Sequence, residues 1–189
     1  MAIIFNTATT VNGYLADPEN SLQWLFDVGG EEPPMDDFLD SIGSLVMGST
    51  TYEWVLDHEN LLAEPEKWQS FFGSRPTFVF STRELPIPRG ADVRVVSGPV
   101  QAQLPAIRDA AGEKHVWVEG GGDLVGQFLD VGALDRIVLS VAPVFLTAGA
   151  PLLPRTVLSD WLRLESVEQV GRFAVLTYDV VPVGHPESA

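Results

Sequence analysis

No cysteine occurs among the 189 residues, which excludes disulfides, thiolate catalysis and cysteine-ligated metals. Positive charge is scarce: 11 lysines and arginines stand against 26 aspartates and glutamates, a formal net charge of −15. A nucleic-acid backbone needs a cationic footprint, so this balance argues against nucleic acid and against anionic membrane surfaces. No apolar run approaches the roughly 20 residues that cross a bilayer. The histidines, His58, His115 and His185, show no metal-ligand spacing, and a Gly-x-Ser-x-Gly elbow for a hydrolase is absent. No metal is expected. The opening segment, Met1 to Asn6, lacks the basic region and cleavage site of a secretory signal. These absences leave a cytoplasmic protein with a small-molecule ligand.

Hydrophobic residues make up 46% of the chain, enough for a substantial core in one domain. Ile3 to Thr9 reads as a first strand, and Asn12-Gly13 supplies the positive-φ positions of a tight turn. Asp17 to Pro34 reads as an irregular acidic loop. After Pro33-Pro34, the residues Met35, Phe38, Leu39 and Ile42 recur at helical spacing. Ser44–Met47, Thr77–Ser81, Val93–Val96, His115–Val118 and Asp135–Pro143 read as strands. Between them lie helical patterns carrying Tyr52, Val55 and Leu56, then Leu104, Ile107, Ala110 and Ala111, then Leu124, Val125, Phe128 and Leu129. Thr50 and Glu53 have the spacing of a capping box. The segments 162–170 and 173–181 alternate around Gly171-Arg172, as an antiparallel hairpin does. Strand–helix units ending in a hairpin predict an α/β fold, with a mainly parallel sheet, helices on both faces and an antiparallel edge. The domain is expected to span 1–183, followed by a disordered tail, 184–189.

Two glycine-centred loops carry the functional signal. Val46-Met47-Gly48-Ser49-Thr50-Thr51-Tyr52-Glu53 and Val118-Glu119-Gly120-Gly121-Gly122-Asp123-Leu124 each follow an apolar strand and open into a helix. Such a turn leaves free N–H groups at a helix N-terminus, where the dipole favours an anion. Two anion sites in one small domain suit a dinucleotide. The glycines at 120, 121, 122 and 126 fail the G-x-G-x-x-G spacing of a Rossmann loop, and no Walker A lysine is present.

Taken together, these motifs resemble the dihydrofolate reductase-like superfamily. Gly48-Ser49-Thr50-Thr51-Tyr52-Glu53 is similar to its Gly-Arg-x-Thr-Tyr/Trp-Glu loop, and Val118 to Gly122 to its strand–Gly-Gly-Gly turn. Leu134-Asp135-Arg136 through Leu139, Ala142-Pro143-Val144 and Gly149-Ala150-Pro151-Leu152 resemble the tail pattern of the riboflavin-pathway deaminase-reductase C-terminal (RibD C-terminal) domains. Asn12-Gly13 resembles that branch's opening segment. The resemblance covers residues 3 to about 181 and implies a dihydrofolate reductase-like three-layer α/β/α fold. It further implies a homodimer and an NADPH-dependent reductase, with NADH as the second candidate cofactor. The implied reaction is hydride transfer to a small heterocyclic or ribosyl substrate of the 5-amino-6-(5-phosphoribosylamino)uracil type. Dihydrofolate reduction is one alternative, and a non-catalytic nucleotide-binding or regulatory protein on the same fold is another.

Carried over by residue, the resemblance assigns Gly48, Ser49, Thr50 and Thr51 to the cofactor phosphates. Gly120, Gly121, Gly122, Asp123 and Leu124 would line the pyrophosphate and nicotinamide. Ser81, Thr82 and Arg83 would meet the adenosine ribose and its 2′-phosphate, with Arg83 replacing the arginine for which Ser49 stands. Folate reductases supply a proton from a carboxylate, and the matching region offers Glu32 first and Asp37 second. Trp24 and Phe26 are candidates to stack on a substrate ring, and Asn6 to hydrogen-bond it. Few basic residues lie near this region to hold a substrate phosphate.

Overall fold

The computed structural model describes residues 1–181; the expected tail, 184–189, lies outside them, as do the last two positions of the expected domain. The chain begins with strand β1, Ile3–Thr10, a turn at Gly13 and a short β2, Tyr14–Ala16. Two short helices follow, α1, Gln23–Phe26, and α2, Asp36–Ser41, before β3, Ile42–Gly48. Helices α3, Ser49–His58, and α4, Glu66–Phe72, precede β4, Thr77–Phe80, and β5, Val93–Val96. Then come α5, Val100–Ala111, β6, His115–Gly120, and α6, Gly122–Asp130. The described chain closes with β7, Arg136–Ala142, the two-residue β8, Ala150–Pro151, and the hairpin β9, Leu162–Val170, and β10, Phe173–Val180.

Eight strands form one sheet in the order β5-β4-β3-β6-β1-β7-β10-β9. From β5 through β7 every pair is parallel; β10 runs antiparallel to β7 and β9. β2 and β8 pair separately, Tyr14 opposite Pro151. Helices cover both faces, because the central strands bury apolar side chains on both. One layer packs Phe5, Val46, Val116 and Val118 against Ile107 of α5 and Val125 and Phe128 of α6. The other packs Leu45, Met47 and Val79 against Tyr52 and Leu56 of α3 and Trp68 and Phe72 of α4. This is the mainly parallel α/β/α sandwich with an antiparallel hairpin that the strand–helix order predicts.

Local differences from the sequence pattern have physical causes. Ile42 begins β3 rather than ending α2; its side chain is fully buried in the core beneath α4. The capping box does not form. Gly48 is the N-cap of α3 and no side chain caps the helix, while both carboxylate oxygens of Glu53 accept hydrogen bonds from Arg83 at 3.0 and 2.7 Å. Helix α4 has no counterpart in the sequence reading, although Trp68 and Phe72 stand four residues apart as a buried helical face requires. A single guanidinium locks this region: Arg75 donates to the carbonyls of Leu39, Ile42 and Phe72 at 2.7, 3.0 and 2.9 Å.

Helix α5 approaches β3 closely at Gly43, where a Cβ would overlap the Ala111 carbonyl, with its carbon 2.8 Å away. Backbone cannot swing aside as a side chain can. Gly43→Ala is therefore expected to destabilise the fold by at least roughly 1–3 kcal/mol, the usual cost of overpacking. Thermal or urea unfolding checks this; an unchanged midpoint would show that α5 moves freely on the sheet.

Candidate functional site

Parallel strands deliver all their C-terminal ends to one edge of a sheet, where ligands of open α/β folds bind. β3 and β6 are neighbours, so the two glycine turns, some seventy residues apart in sequence, meet there. A Cβ on Gly48 would stand 3.5 Å from the Gly121 nitrogen and 3.6 Å from the Gly120 oxygen. One on Gly120 would lie 3.7 Å from the Thr51 hydroxyl. Gly120 has φ +138°, a conformation that side-chain-bearing residues rarely adopt. Gly122 packs against the Pro151 and Leu152 carbonyls, leaving no room for a Cβ, whereas a Cβ on Gly121 would meet nothing within 4 Å. The turn is held from behind and open in front.

Two connected cavities occupy this edge. One, about 440 Å³, is lined by Gly48, Ser49, Thr50, Ser81, Thr82, Ser97, Gly98, Gly121, Asp123 and Leu124, with Phe80 and Gln127. The N-termini of α3 and α6 both open onto it, and polar groups, the hydroxyls of Ser49, Thr50, Ser81, Thr82 and Ser97 among them, share its wall about equally with carbon. The other, about 400 Å³, lies across the Gly120–Gly122 turn and shares Thr50, Gly121 and Asp123 with the first. Thr7 and Ala8 of β1, Thr51, Trp54 and Glu119 line it, together with Leu15, Leu22, Leu25, Pro151 and Pro154. Apolar and hydroxyl groups thus face a single carboxyl from β6.

That carboxyl is the most unusual group in the site. Glu119 ends the alternation of β6, with Val116 and Val118 buried on the opposite face. Its Oε1 is buried and has no hydrogen-bond partner. Desolvation pushes its pKa up from 4.5 to about 8, so near neutral pH the group holds a proton. Asp123 behaves oppositely: hydrogen bonds from Gln127 and Arg155 hold its carboxyl below the ordinary range.

Eleven of the residues assigned by resemblance line the two cavities: Gly48, Ser49, Thr50, Thr51, Ser81, Thr82, Gly120, Gly121, Gly122, Asp123 and Leu124. Arg83 is on the adjoining loop but turns to Glu53 and lines neither cavity. Glu32 is exposed in the loop before α2, and Asp37 is exposed in that helix's first turn; neither lines a cavity. Trp24 is buried with Val28, Ala142 and Phe173. Phe26 is half exposed and stacks on His58 at 5.2 Å. The Asn6 amide faces the Met35 sulfur at 3.9 Å, while its carbonyl accepts from the Trp117 indole. Sequence reasoning overlooked Glu119 as a chemical group and Trp54 as a wall. A glutamate directly after the apolar run His115 to Val118 and immediately before three glycines was the available signal.

The RibD C-terminal domain model matches residues 52–176. The uncharacterized protein YwjB of Bacillus subtilis (strain 168) is 26% identical over 172 residues, covering 90% of this chain and 93% of that one. A candidate riboflavin biosynthesis protein of Shewanella sp. PV-4 has a crystal structure that superposes with a TM-score of 0.78 at 26% identity, covering 96% of this chain and 99% of that one. The Thermotoga maritima diaminohydroxyphosphoribosylaminopyrimidine deaminase/5-amino-6-(5-phosphoribosylamino)uracil reductase shares the fold, with a TM-score of 0.65 at 15% identity. There, 95% of this chain covers 56% of the longer protein.

A raised carboxyl pKa has a definite thermodynamic sign. Between pH 4.5, its ordinary value, and about 8, the folded chain keeps a Glu119 proton that the unfolded chain releases. Folding stability from this group therefore falls as pH rises through that window. Glu119→Gln is expected to remove that decline, so its excess stability over the parent grows from pH 5 to pH 8. Parallel pH–stability curves for the two proteins would show that the carboxyl is solvated.

Proposed function

This chain belongs to the RibD C-terminal domain family, and on that premise we propose that it is an NADPH-dependent reductase acting on a C=N or carbonyl group of a small molecule. The observation that carries the reading is the buried, unpartnered Oε1 of Glu119 on the wall of one cavity, beside the turn that joins it to a more polar cavity. A binding module has no use for a costly uncompensated acid. A reductase that must protonate its product does.

The residues fit the cofactor that the family implies. The open space in front of Gly121 is the cradle a pyrophosphate requires, and the N-termini of α3 and α6 supply N–H groups and dipoles to it. The Ser49, Thr50 and Thr51 hydroxyls would complete that grip, and Ser81 and Thr82 would meet the adenosine ribose. When bound, the reduced nicotinamide supplies a hydride. Glu119 holds the proton for the substrate nitrogen or oxygen and regains one from solvent afterwards. Leu15, Leu22, Leu25 and the two prolines exclude water, which keeps the carboxyl protonated and the electrostatics strong. A second copy of the chain is proposed as its partner from the resemblance alone.

The proton source is tested with NADPH and a turned-over substrate. Glu119→Gln keeps shape and removes the acid, so kcat should fall by about 10²–10⁴-fold, the usual share of general acid catalysis, with cofactor affinity retained. The parent's rate should decline above about pH 8 as Glu119 ionises, and the variant's should not. Glu32→Gln and Asp37→Asn serve as comparisons. If either of them lowers turnover while Glu119→Gln does not, the proton comes by way of the loop before β3.

Cofactor choice follows from the Arg83 ion pair. Glu53 engages both arms of the guanidinium, which is otherwise exposed. Freeing it with Glu53→Gln should strengthen NADPH binding relative to NADH, and Arg83→Ala should weaken NADPH selectively. Calorimetric titration with both cofactors decides this; equal changes for the two would place the 2′-phosphate contact elsewhere.

A further inference from the structure

Among the described residues, the cavity that holds Glu119 has no countercharge for an anionic substrate. None of the residues lining it is a lysine, arginine or histidine. Arg155, next to the lining residue Pro154, is already bound by two carboxylates, Asp123 at 3.1 Å and Asp130 at 2.9 Å. Arg172 donates to the Val28 carbonyl, and Arg83 is held by Glu53. The charged group on the wall is instead Asp123, an anion. Most of the remaining wall is apolar, with Leu15, Leu22, Leu25, Trp54, Pro151 and Pro154 beside Asn20 and the Thr7, Thr50 and Thr51 hydroxyls. Trp54 stacks on His58 with ring centroids 4.5 Å apart and an interplanar angle of 14°, which fixes the plane of its indole.

A substrate phosphate in this mostly apolar cavity would lose its hydration with no cation to replace it, and the Asp123 carboxylate would repel it. A planar ring would gain apolar contact with the leucines, the prolines and the indole. The Thermotoga enzyme is named for a phosphoribosyl substrate, and the chemistry of this cavity departs from that name. Resting on the reductase reading above, we propose that the substrate is a flat, phosphate-free heterocycle, neutral or basic, that lies beside Trp54 with its reducible C=N or C=O bond next to Glu119. In the balanced step the carbon gains a hydride as the double bond becomes single. The heteroatom gains the Glu119 proton, NADPH becomes NADP⁺, and Glu119 is reprotonated from solvent.

Matched ligands that differ only in phosphate test this directly. With the parent chain saturated with NADP⁺, calorimetry would compare 5-amino-6-(ribosylamino)uracil with its 5′-phosphate, and 7,8-dihydroneopterin with its 3′-phosphate. In every pair that binds, the phosphate-free member should bind about tenfold or more tightly than its partner, a difference of about 1.4 kcal/mol. Trp54→Ala should weaken that ring by a similar factor with NADPH affinity and melting temperature preserved, and Trp54→Phe should restore most of it. The proposal is overturned if a phosphorylated member binds as tightly as its partner or more so, or if no phosphate-free ring binds a chain that takes NADPH. Failure to bind NADPH or NADH at all would instead sink the reductase reading, whatever the rings do.

Discussion

The contact between the Gly48 and Gly120–Gly121 turns is the constraint on which the site depends. Two neighbouring parallel strands must end at the same height, and both must turn into helices within one residue. A Cβ on Gly48 would already stand in van der Waals contact with the Gly120–Gly121 backbone, so the two turns leave room for little more than a methyl between them. Holding the turns together aims two helix N-termini at one groove and leaves Thr51 beside Gly120. The same junction divides the groove into a polar cavity and an apolar one. The Pro151-Leu152 backbone behind Gly122 and the short β2–β8 pair brace the turn from the far side. Those segments have little core of their own, so bracing this turn accounts for their position.

This geometry also explains how a chain with net charge −15 could hold the anionic cofactor proposed for it. Fixed N–H dipoles act at contact range, while a distant field of carboxylates is screened over about 8–10 Å at ordinary salt. The arginines meanwhile are largely committed to structure. Arg75 ties three carbonyls, Arg155 bridges Asp123 and Asp130, Arg163 and Arg136 share Asp179, and Arg94 pairs with Asp92. With cations used in this way, the proposed cofactor site would rely on backbone and hydroxyl groups.

The strands of the sheet and the succession of strand–helix units along the chain were legible because the signals were periodic and local, while the spatial order of the strands was not. Val93–Val96 and the residues of the terminal hairpin stand where alternation put them, and α6 buries all four predicted residues, Leu124, Val125, Phe128 and Leu129. The glycine loops were legible because a strand that turns sharply into a helix needs glycine. What failed was tertiary. Thr50 and Glu53 have capping spacing, yet Arg83, thirty residues on, outcompetes the helix terminus for the carboxylate with two charge-assisted hydrogen bonds. Acidic side chains before β3 looked suitable by distance along the chain, but Glu32 and Asp37 remain exposed and outside both cavities. Trp24 looked like a ring platform and is core. Linear spacing carries no information about which way a loop folds.

Glu119 shows why the remaining chemistry was hidden. Inside a strand, an acid reads as one polar position in an alternation, and nothing local says whether that face meets water or a cavity. Its role depends on β1, α1, α3 and the 150–154 segment closing over it, four pieces spread along the chain. Once they close, one environment has two effects. Desolvation raises the acid's pKa to about 8 and makes it a usable donor near neutral pH, while the same desolvation costs stability as the pH climbs. Surrounding it with cations would relieve that cost, but it would also drive the proton off and admit phosphate. If Glu119 is the donor, as proposed, the lack of a basic residue on this wall among the described residues would protect the donor and select the substrate together, so neither property could be altered by adding charge without altering the other.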